Sequence, residues 1–182
     1  MTGRVLAILM GVMLLTITLF PGDVVLAAVS VQYTKEATFL QSCGLFKGRD
    51  TGIEREKQAT RVQGAVMLVR LIGKENEALN GKYVMPFTDV PTWAVPYVGY
   101  LYHQGLTQGL STTRFGTNER LSSKDFMTFM LRVLEYKDNV DFTWSTSLTK
   151  GVETGMLTIK EGTVYQTKSF VRDDMVHFAY RA

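Results

Sequence analysis

Cysteine and histidine are scarce in this chain of 182 residues, which contains one cysteine and two histidines. A single cysteine cannot form a disulfide within the chain, so the fold has to rest on a hydrophobic core. Its neighbours Leu40 and Leu45 favour a packed, unreactive thiol at Cys43 over a reactive one. No HExxH motif, CxxC motif or His/Cys cluster with metal-ligand spacing is present in the sequence. We therefore expect no metal, no cofactor and no histidine-based hydrolysis.

Runs of lysine or arginine are also missing. The chain has 20 basic and 17 acidic residues, and this mild excess, a formal net charge of +3, is spread along the sequence. Without a basic stripe, nothing indicates a nucleic-acid partner. The hydrophobic fraction of 46% is enough for one ordinary folded domain with a core of its own.

The one long hydrophobic run lies at the N-terminus. Arg4 precedes an apolar run over residues 5–20, and Pro-Gly and a segment of small residues follow. This order predicts a secretory signal peptide, residues 1–27, with cleavage after Ala27 or Ala28. The alternative is an uncleaved membrane anchor, but the run is shorter than the roughly 20 residues that a membrane-spanning helix needs. We therefore expect a secreted protein with no membrane span after signal cleavage.

Short motifs recur along the rest of the chain and indicate internal repeats. The middle region, residues 86–136, carries an opening FTDVPTW, a loop GLTQG and a helix start LSSKD. The loop recurs before it as GLFKG and after it as GMLT, and the helix start recurs as ATRVQ and FVRDD. Such repeats indicate small units that pack on one another. The predicted units are residues 28–80, 81–137 and 138–182.

Each unit is predicted to contain two helices joined by a loop. Apolar residues recur with helical period in two of the second helices: Ala65, Leu68, Val69 and Ile72, and Phe126, Phe129, Met130 and Val133. Capping-box residues precede them, Thr60 with Gln63 and Ser122 with Asp125. In the middle unit the first helix is predicted over residues 95–104, ending at a glycine. A unit this small cannot bury its own faces, so we expect an all-α domain with one shared core.

The motifs and their order resemble the S-layer homology family. The marks of that family are an F-x-D-V opening with a following tryptophan, a G-L/I-x-x-G loop and a T-R-A-E-like helix start, found here as FTDVPTW, GLTQG, GLFKG and TRVQ. The resemblance covers roughly residues 39–182. It implies three helix–loop–helix repeats packed as a pseudo-threefold bundle. It also implies a secreted, non-enzymatic module on the cell surface of a Gram-positive-type bacterium, held non-covalently by an anionic, pyruvylated secondary cell-wall polysaccharide.

Arg61 and Arg172 stand at the starts of predicted second helices, where the helix dipole disfavours a positive charge. Free backbone N–H groups and a guanidinium together would make an anion site suited to a carboxylate. The alternative is that both side chains are solvated or paired with acids such as Glu54 or Asp173. The resemblance implies the anion site, because members of the family use this arginine to hold acidic wall glycan.

Aromatic and acidic residues near these arginines are candidates for sugar recognition. A ring face can stack on the C–H face of a pyranose, and a carboxylate can accept hydrogen bonds from hydroxyl groups. The candidates are Trp93, Tyr97, Trp144, Asp89 and Asp141. The alternative is that the tryptophans fill the core and the aspartates cap turns. The resemblance implies glycan grooves between adjacent units.

Three departures from the family pattern weaken the repeats. Ser123 stands where the family has arginine, and Lys124 could replace only its charge and not its bidentate geometry. The first unit lacks the Asp-Val opening, and the second helix of the third unit is predicted to be short and has Val171 at its cap position. We therefore expect at most two working grooves, with the one near Ser123 impaired.

These departures support an alternative function, a degenerate helical scaffold that binds another envelope protein. An enzyme is the least favoured interpretation. Its best paired acids, Asp173 and Asp174, are adjacent on a predicted helix and point to different faces.

Overall fold

The structure is all-α, as the sequence predicted. The computed structural model of the chain describes residues 31–47 and 54–182. Within this part there are eight α-helices and two 3-10 helices, and strand-like pairing is limited to isolated bridges. The α-helices are α1 Thr34–Ser42, α2 Arg61–Leu71, α3 Glu75–Asn80, α4 Val95–His103, α5 Ser123–Val133, α6 Ser147–Glu153, α7 Ile159–Val164 and α8 Arg172–Arg181. The 3-10 helices, Thr92–Ala94 and Trp144–Thr146, directly precede α4 and α6.

The signal peptide predicted for residues 1–27 lies outside the described residues. Among the helices that the structure describes, none is long and apolar enough to cross a membrane. The longest of them, α2 and α5, have eleven residues each, against the roughly 20 that a span needs.

The capping boxes predicted for α2 and α5 are confirmed. At the start of α2, the Gln63 side chain accepts a hydrogen bond from the Thr60 N–H at 3.0 Å. At the start of α5, the Asp125 carboxylate accepts from the Ser122 N–H at 3.0 Å, and the Ser122 hydroxyl accepts from the Asp125 N–H at 3.1 Å. Both helices therefore begin where the sequence placed them.

Helix α8 begins without a side-chain cap, since Val171 carries no acceptor. The N–H groups of Arg172 and Asp173 donate instead to the carbonyl oxygens of Lys57 and Arg55, each at 2.9 Å. Helix α8 has ten residues, one fewer than α2 and α5. The prediction that it would be short was therefore wrong.

Helix α4 agrees with the helix predicted over residues 95–104. Pro96 lies in its first turn, where a missing N–H costs nothing. Gln104 forms the C-cap, and Gly105 follows with a φ of +70°, the left-handed conformation that ends many helices.

Cys43 is exposed, contrary to the packed thiol that its neighbours predicted. Leu40 does turn into the core and is only 2% exposed. Helix α1 ends at Ser42, however, so Cys43 no longer follows the buried face of that helix.

The helices α2, α5 and α8 form the centre of the domain, and each contacts the other two. Each also has a shorter helix as its main further neighbour: α4 for α2, α6 for α5, and α1 for α8. The second helix of each predicted unit therefore packs on the first helix of the next unit. The second helix of the third unit packs on the first helix of the first unit. Large side chains fill the shared core, among them Leu68, Phe126, Phe129 and Phe178.

Glu75, the first residue of α3, joins three parts of this core. Its carboxylate accepts hydrogen bonds from Arg70 of α2 at 2.7 Å, Tyr97 of α4 at 2.8 Å and Lys47 at 2.9 Å. Burial alone would raise the pKa of Glu75, but these donors outweigh burial and lower the pKa from 4.5 to about 2. The ionised carboxylate therefore stabilises the folded state.

Replacing Glu75 by glutamine should lower the free energy of unfolding at neutral pH by about 1–3 kcal/mol, because Arg70 loses its charged partner. Since the pKa is lowered on folding, the carboxylate contributes fully above pH 4.5 and loses its contribution as the pH falls to about 2. Urea unfolding at pH 7 and at about pH 3 measures both effects. The control is Glu77→Gln, a half-exposed carboxylate on the same helix, which should change little. An equal loss at both pH values would contradict this account.

Candidate functional site

A cavity of about 540 Å³ opens between the start of α2, the loop after α4, helix α5 and the second 3-10 helix. Its lining draws on all three predicted units: Arg61, Gln108, Gly109, Leu110, Glu119, Arg120, Asp125, Thr128, Phe129, Arg132 and Trp144. The fold therefore brings together Arg61 and Trp144, two of the seven residues that the sequence singled out.

Main-chain hydrogen bonds hold the start of α2 against the segment that precedes α5. The N–H of Arg61 donates to the carbonyl oxygen of Glu119 at 2.9 Å, and the N–H of Val62 donates to that of Thr117 at 3.3 Å. The sequence predicted that free N–H groups here would help to bind an anion. That prediction was wrong for these two groups, because the neighbouring loop satisfies them, and only the guanidinium of Arg61 is left as a candidate for binding an anion.

The Arg61 side chain is buried between two aromatic rings. Its Cζ lies 4.9 Å from the ring centroid of Phe129 and 5.2 Å from that of Phe115. Its Nη1 lies 3.5 Å from Oδ1 of Asp125, at the outer limit for a hydrogen bond. Burial lowers the pKa of Arg61, the charge of Asp125 opposes that effect, and the charge of Arg132 adds to it. The guanidinium nevertheless stays protonated at neutral pH.

Two residues of the lining leave buried polar atoms without a partner. Among the described residues, three buried side-chain atoms make no hydrogen bond: Nε of Arg61 and Oγ1 of Thr128 in this lining, and Nδ1 of His177 outside it. A buried polar group that lacks a partner destabilises a fold by about 1–3 kcal/mol. Two such groups in one lining are therefore unfavourable for the stability of the fold and need an explanation.

Asp125 positions Trp144. The indole Nε1–H donates to Oδ1 of Asp125 at 3.0 Å, and the Lys124 Nζ lies 5.2 Å from the ring centroid. Trp144 is nevertheless 52% exposed, so much of its ring remains available for contact. The sequence analysis treated Asp125 only as a cap; its place in the helix-start motif, where the family has glutamate, was the signal for a second role.

The charges of the lining favour an anion. Three arginines and two carboxylates contribute: Arg61, Arg120, Arg132, Glu119 and Asp125. Glu119 is exposed and already forms an ion pair with Arg114. Arg120 has no ion-pair partner among the described residues. Arg132 pairs with Asp138 outside the lining, so the charge of the lining that is left without an ion-pair partner is the positive charge of Arg120.

Arg172 lies at the corresponding position of α8 and is more extensively paired. Its Nε donates to the Gln63 side chain at 3.3 Å, and its Nη1 pairs with the Glu54 carboxylate at 3.2 Å. Arg61 and Arg172 thus follow one rule: the first residue of a long helix reaches the third residue of another long helix. Pairing of Arg172 with Glu54 is the alternative that the sequence left open.

At the start of α5 the same position holds Ser123, whose hydroxyl donates to the carbonyl oxygen of Tyr165 at 2.7 Å. The buried carboxylate of Asp174 there accepts from the Tyr165 hydroxyl at 2.9 Å and pairs with Lys168 at 2.5 Å. The sequence suggested that Lys124 could replace the charge of the arginine missing at Ser123. In the structure Lys168 supplies the positive charge beside Asp174 instead. Burial, together with Tyr33 and Asp174, raises the pKa of Tyr165, which stays neutral.

Asp89 supports the cavity without lining it. Its carboxylate accepts hydrogen bonds from the N–H groups of Phe115 and Gly116, both at 2.7 Å, and of Thr117 at 3.1 Å. Burial alone would raise the pKa of Asp89, but these three donors hold it below its usual range. Because Phe115 packs on Arg61, Asp89 fixes the loop that forms one wall around the arginine.

The other three sugar-binding candidates lie away from the cavity. Trp93 is 57% exposed in the first 3-10 helix, and Tyr97 is buried with its hydroxyl bound to Glu75. The Asp141 carboxylate accepts a hydrogen bond from the N–H of Lys137 at 2.7 Å. This is the turn-capping role that the sequence analysis gave as the alternative to sugar binding. The described residues also contain no group of three or more His, Cys, Asp or Glu side chains placed to hold a metal ion.

The chain resembles parts of two much longer proteins of bacterial surfaces. It is 34% identical over 86 residues to "Cell surface protein" of Thermoanaerobacter kivui, a match that covers 46% of this chain and 11% of that protein. It is 26% identical over 118 residues to "Surface layer protein" of Brevibacillus choshinensis, which covers 63% of this chain and again 11% of the relative. No family model matches the chain. The names of both relatives agree with the surface-related class that the motifs indicated.

Arg61 and Arg132, two arginines of the cavity, should respond differently to mutation. Arg61→Met should leave the free energy of unfolding within about 1 kcal/mol of the wild type, because it also removes a buried N–H that has no partner. Arg132→Met should lower it by about 3 kcal/mol. Arg132 is held by two hydrogen bonds to Asp138, at 2.8 and 2.9 Å, and by one to the carbonyl oxygen of Leu106 at 3.2 Å.

Chemical denaturation of the two methionine variants provides this comparison, and each variant controls for the other. Equal losses at Arg61 and Arg132 would mean that Arg61 serves the fold rather than a ligand.

Proposed function

We propose that this chain is a cell-surface protein of S-layer homology type whose helical domain binds an anionic secondary cell-wall polysaccharide and catalyses no reaction. The main support is Arg61, a buried arginine in a positively charged cavity with an N–H that no protein group satisfies. The two relatives named as surface proteins support the location. Secretion through the predicted signal peptide, residues 1–27, would bring the domain to the wall of a Gram-positive-type bacterium.

A carboxylate, such as that of a pyruvate ketal on a sugar, suits Arg61 best. The distance of 3.5 Å to Asp125 is long for a hydrogen bond, so an incoming carboxylate can compete for the guanidinium. The rings of Phe115 and Phe129 limit its hydration, which strengthens its attraction for an anion. These features favour an acid-bearing sugar over a neutral one at this position.

Trp144 would bind the ring of the same sugar. Its indole is fixed by Asp125 while more than half of the residue remains exposed. The side chains of Gln108 and Arg120 make no hydrogen bond to other described residues, so both can bind ring hydroxyls or the acid. In this proposal Asp89 keeps the surrounding loop in place.

We further propose that three related units, residues 28–80, 81–137 and 138–182, close into a pseudo-threefold bundle. The mutual contacts of α2, α5 and α8, and their packing on α4, α6 and α1 in turn, support this arrangement. Arg172 and the exposed Trp93 would then form a second site. That site should bind more weakly, because Glu54 already pairs with Arg172 and an incoming acid has to displace it.

Tyr97 and Asp141 would act indirectly. Their observed partners, Glu75 and the N–H of Lys137, tie them to the protein. Within this proposal they stabilise the surrounding segments.

A scaffold that binds another envelope protein is the second candidate. It is favoured by the start of α5, where Ser123 replaces the arginine and Lys168 neutralises Asp174. The same experiment separates the two candidates, since a scaffold does not need Arg61 to associate with wall polysaccharide.

Arg61→Met should weaken binding to purified cell walls of the producing bacterium by about 10–100-fold, the loss expected for one hydrogen-bonded ion pair. Trp144→Ala should weaken it by about tenfold, and Arg172→Met should have the smaller effect of the two arginine variants. Co-sedimentation of the mature protein with the walls measures all three. The control is Arg181→Met, which removes an exposed arginine that contacts only the carbonyl oxygen of Gly155.

Walls stripped of their secondary polysaccharide provide the second arm. Binding that disappears on stripped walls and with Arg61→Met supports the polysaccharide module. Binding that survives both changes supports the protein-binding scaffold, and absence of binding to intact walls overturns the proposed function.

A further inference from the structure

Helix α1 covers α8 in the way that α4 covers α2 and α6 covers α5, but it is held mainly from one side. Its main neighbour is α8, whereas α4 packs on both α2 and α3, and α6 packs on both α5 and α7. Two residues of α1 are buried, Ala37 and Leu40, against five residues of α4. Little apolar surface therefore ties α1 to the rest of the domain.

Helix α1 also has little stability of its own. It has nine residues, fewer than an isolated helix needs to be stable in water. Tyr33 occupies its N-cap position and makes no side-chain cap hydrogen bond. The segment is therefore helical only while it is docked on α8.

A buried carboxylate of α8 holds the start of α1. Asp173 is 2% exposed, and its Oδ2 accepts hydrogen bonds from the N–H groups of Gln32 at 2.6 Å and of Tyr33 at 3.1 Å. Its Oδ1 accepts a hydrogen bond from Arg55 at 3.1 Å, and Arg55 also donates to the Thr34 hydroxyl at 3.1 Å. One carboxylate therefore joins α1 to α8 and to the segment that precedes α2.

Two ring contacts supplement this polar attachment. The ring of Tyr33 stacks on that of His177 in α8, with 4.0 Å between the centroids, and the ring of Phe39 meets that of Tyr180 edge-on at 5.6 Å. Phe39 and Tyr180 are both half-exposed, so their contact hides little apolar surface from water. The hydrogen bonds to Asp173 therefore supply much of the attachment of α1.

We propose that α1 is a strap that opens without unfolding of the rest of the domain, and that Asp173 is the group that keeps it closed. Opening separates α1 from α8 and uncovers the face of α8 that carries His177 and Tyr180. The inference is independent of what the Arg61 cavity binds.

The rest of α8 keeps its attachments when α1 leaves. The N–H groups of Arg172 and Asp173 are bound to the carbonyl oxygens of Lys57 and Arg55, and α8 also contacts α2 and α5. None of these contacts involves α1. The core shared by the three long helices therefore stays closed while the strap is open.

Hydrogen exchange of the mature protein, followed by mass spectrometry of its peptides, tests the strap. The hydrogen-bonded amides of residues 37–43 should exchange at least about tenfold faster than the slowest amides of α2. Low concentrations of urea should accelerate them much less than the amides of α2, because the opening of α1 exposes little surface.

Asp173→Asn should accelerate exchange in α1 by about 10–100-fold, because an amide group cannot accept hydrogen bonds on both of its sides. The matched control is Asp141→Asn. It changes a carboxylate that also accepts from a main-chain N–H but lies in the turn after α5, so α1 should exchange as in the wild type.

A substitution in the core provides the opposite comparison. Val98→Ala removes buried methyl groups from α4 and should accelerate the slowest amides of α2 by about tenfold or more. The amides of α1 should keep their wild-type rates, because their exchange does not require the core to unfold.

Amides of α1 that exchange as slowly as those of α2, or that accelerate with them in Val98→Ala, would overturn the strap, since α1 would then open only when the whole domain unfolds. Unchanged exchange of α1 in Asp173→Asn would overturn the role of Asp173. Neither outcome concerns binding at the Arg61 cavity, so a failure here is distinguishable from a failure of the proposed function.

Discussion

The first N–H groups of a buried helix have to find acceptors, and this requirement organises the domain. The start of α2 uses the carbonyl oxygens of Thr117 and Glu119, and the start of α8 uses those of Arg55 and Lys57. In both cases the acceptors belong to the segment that precedes another long helix. The three helix starts are therefore held side by side, and the side chain of Arg61 is directed to the start of α5. The main chain determines the position of the site, and the side chains determine what it can bind.

The two arginines of the cavity illustrate the difference between a structural and a binding role. Both are largely withdrawn from water, and burying a charge is unfavourable unless its partners compensate. Arg132 is compensated by Asp138 and Leu106, whereas Arg61 has two ring contacts, one long contact with a carboxylate and a buried N–H without a partner. This difference in pairing is the reason why Arg61, and not Arg132, is the candidate for an external carboxylate in the proposed function.

Local patterns predicted the local structure well. The spacing of apolar residues and the capping residues Thr60 and Ser122 located α2 and α5, because both signals depend on neighbours within one turn. The exposure of Cys43, the occupied N–H groups of α2 and the role of Lys168 could not be predicted. Each depends on where a helix ends or on which loop reaches it, and these contacts join residues far apart in sequence. Of the site itself, the sequence identified Arg61 and Trp144 but not the contact of Asp125 with both.

The three helix starts have the same geometry but differ in what they leave available. At α2 the arginine meets Asp125 at a long distance; at α8 it meets Gln63 and Glu54 at closer range; at α5 Lys168 takes over the pairing of Asp174. An external acid therefore has to displace progressively stronger internal partners from one start to the next. Three equivalent sites on one polymer would gain affinity through multivalency. In the proposed function only the start of α2 keeps an arginine whose internal carboxylate partner is distant, so the affinity would rest mainly on Arg61.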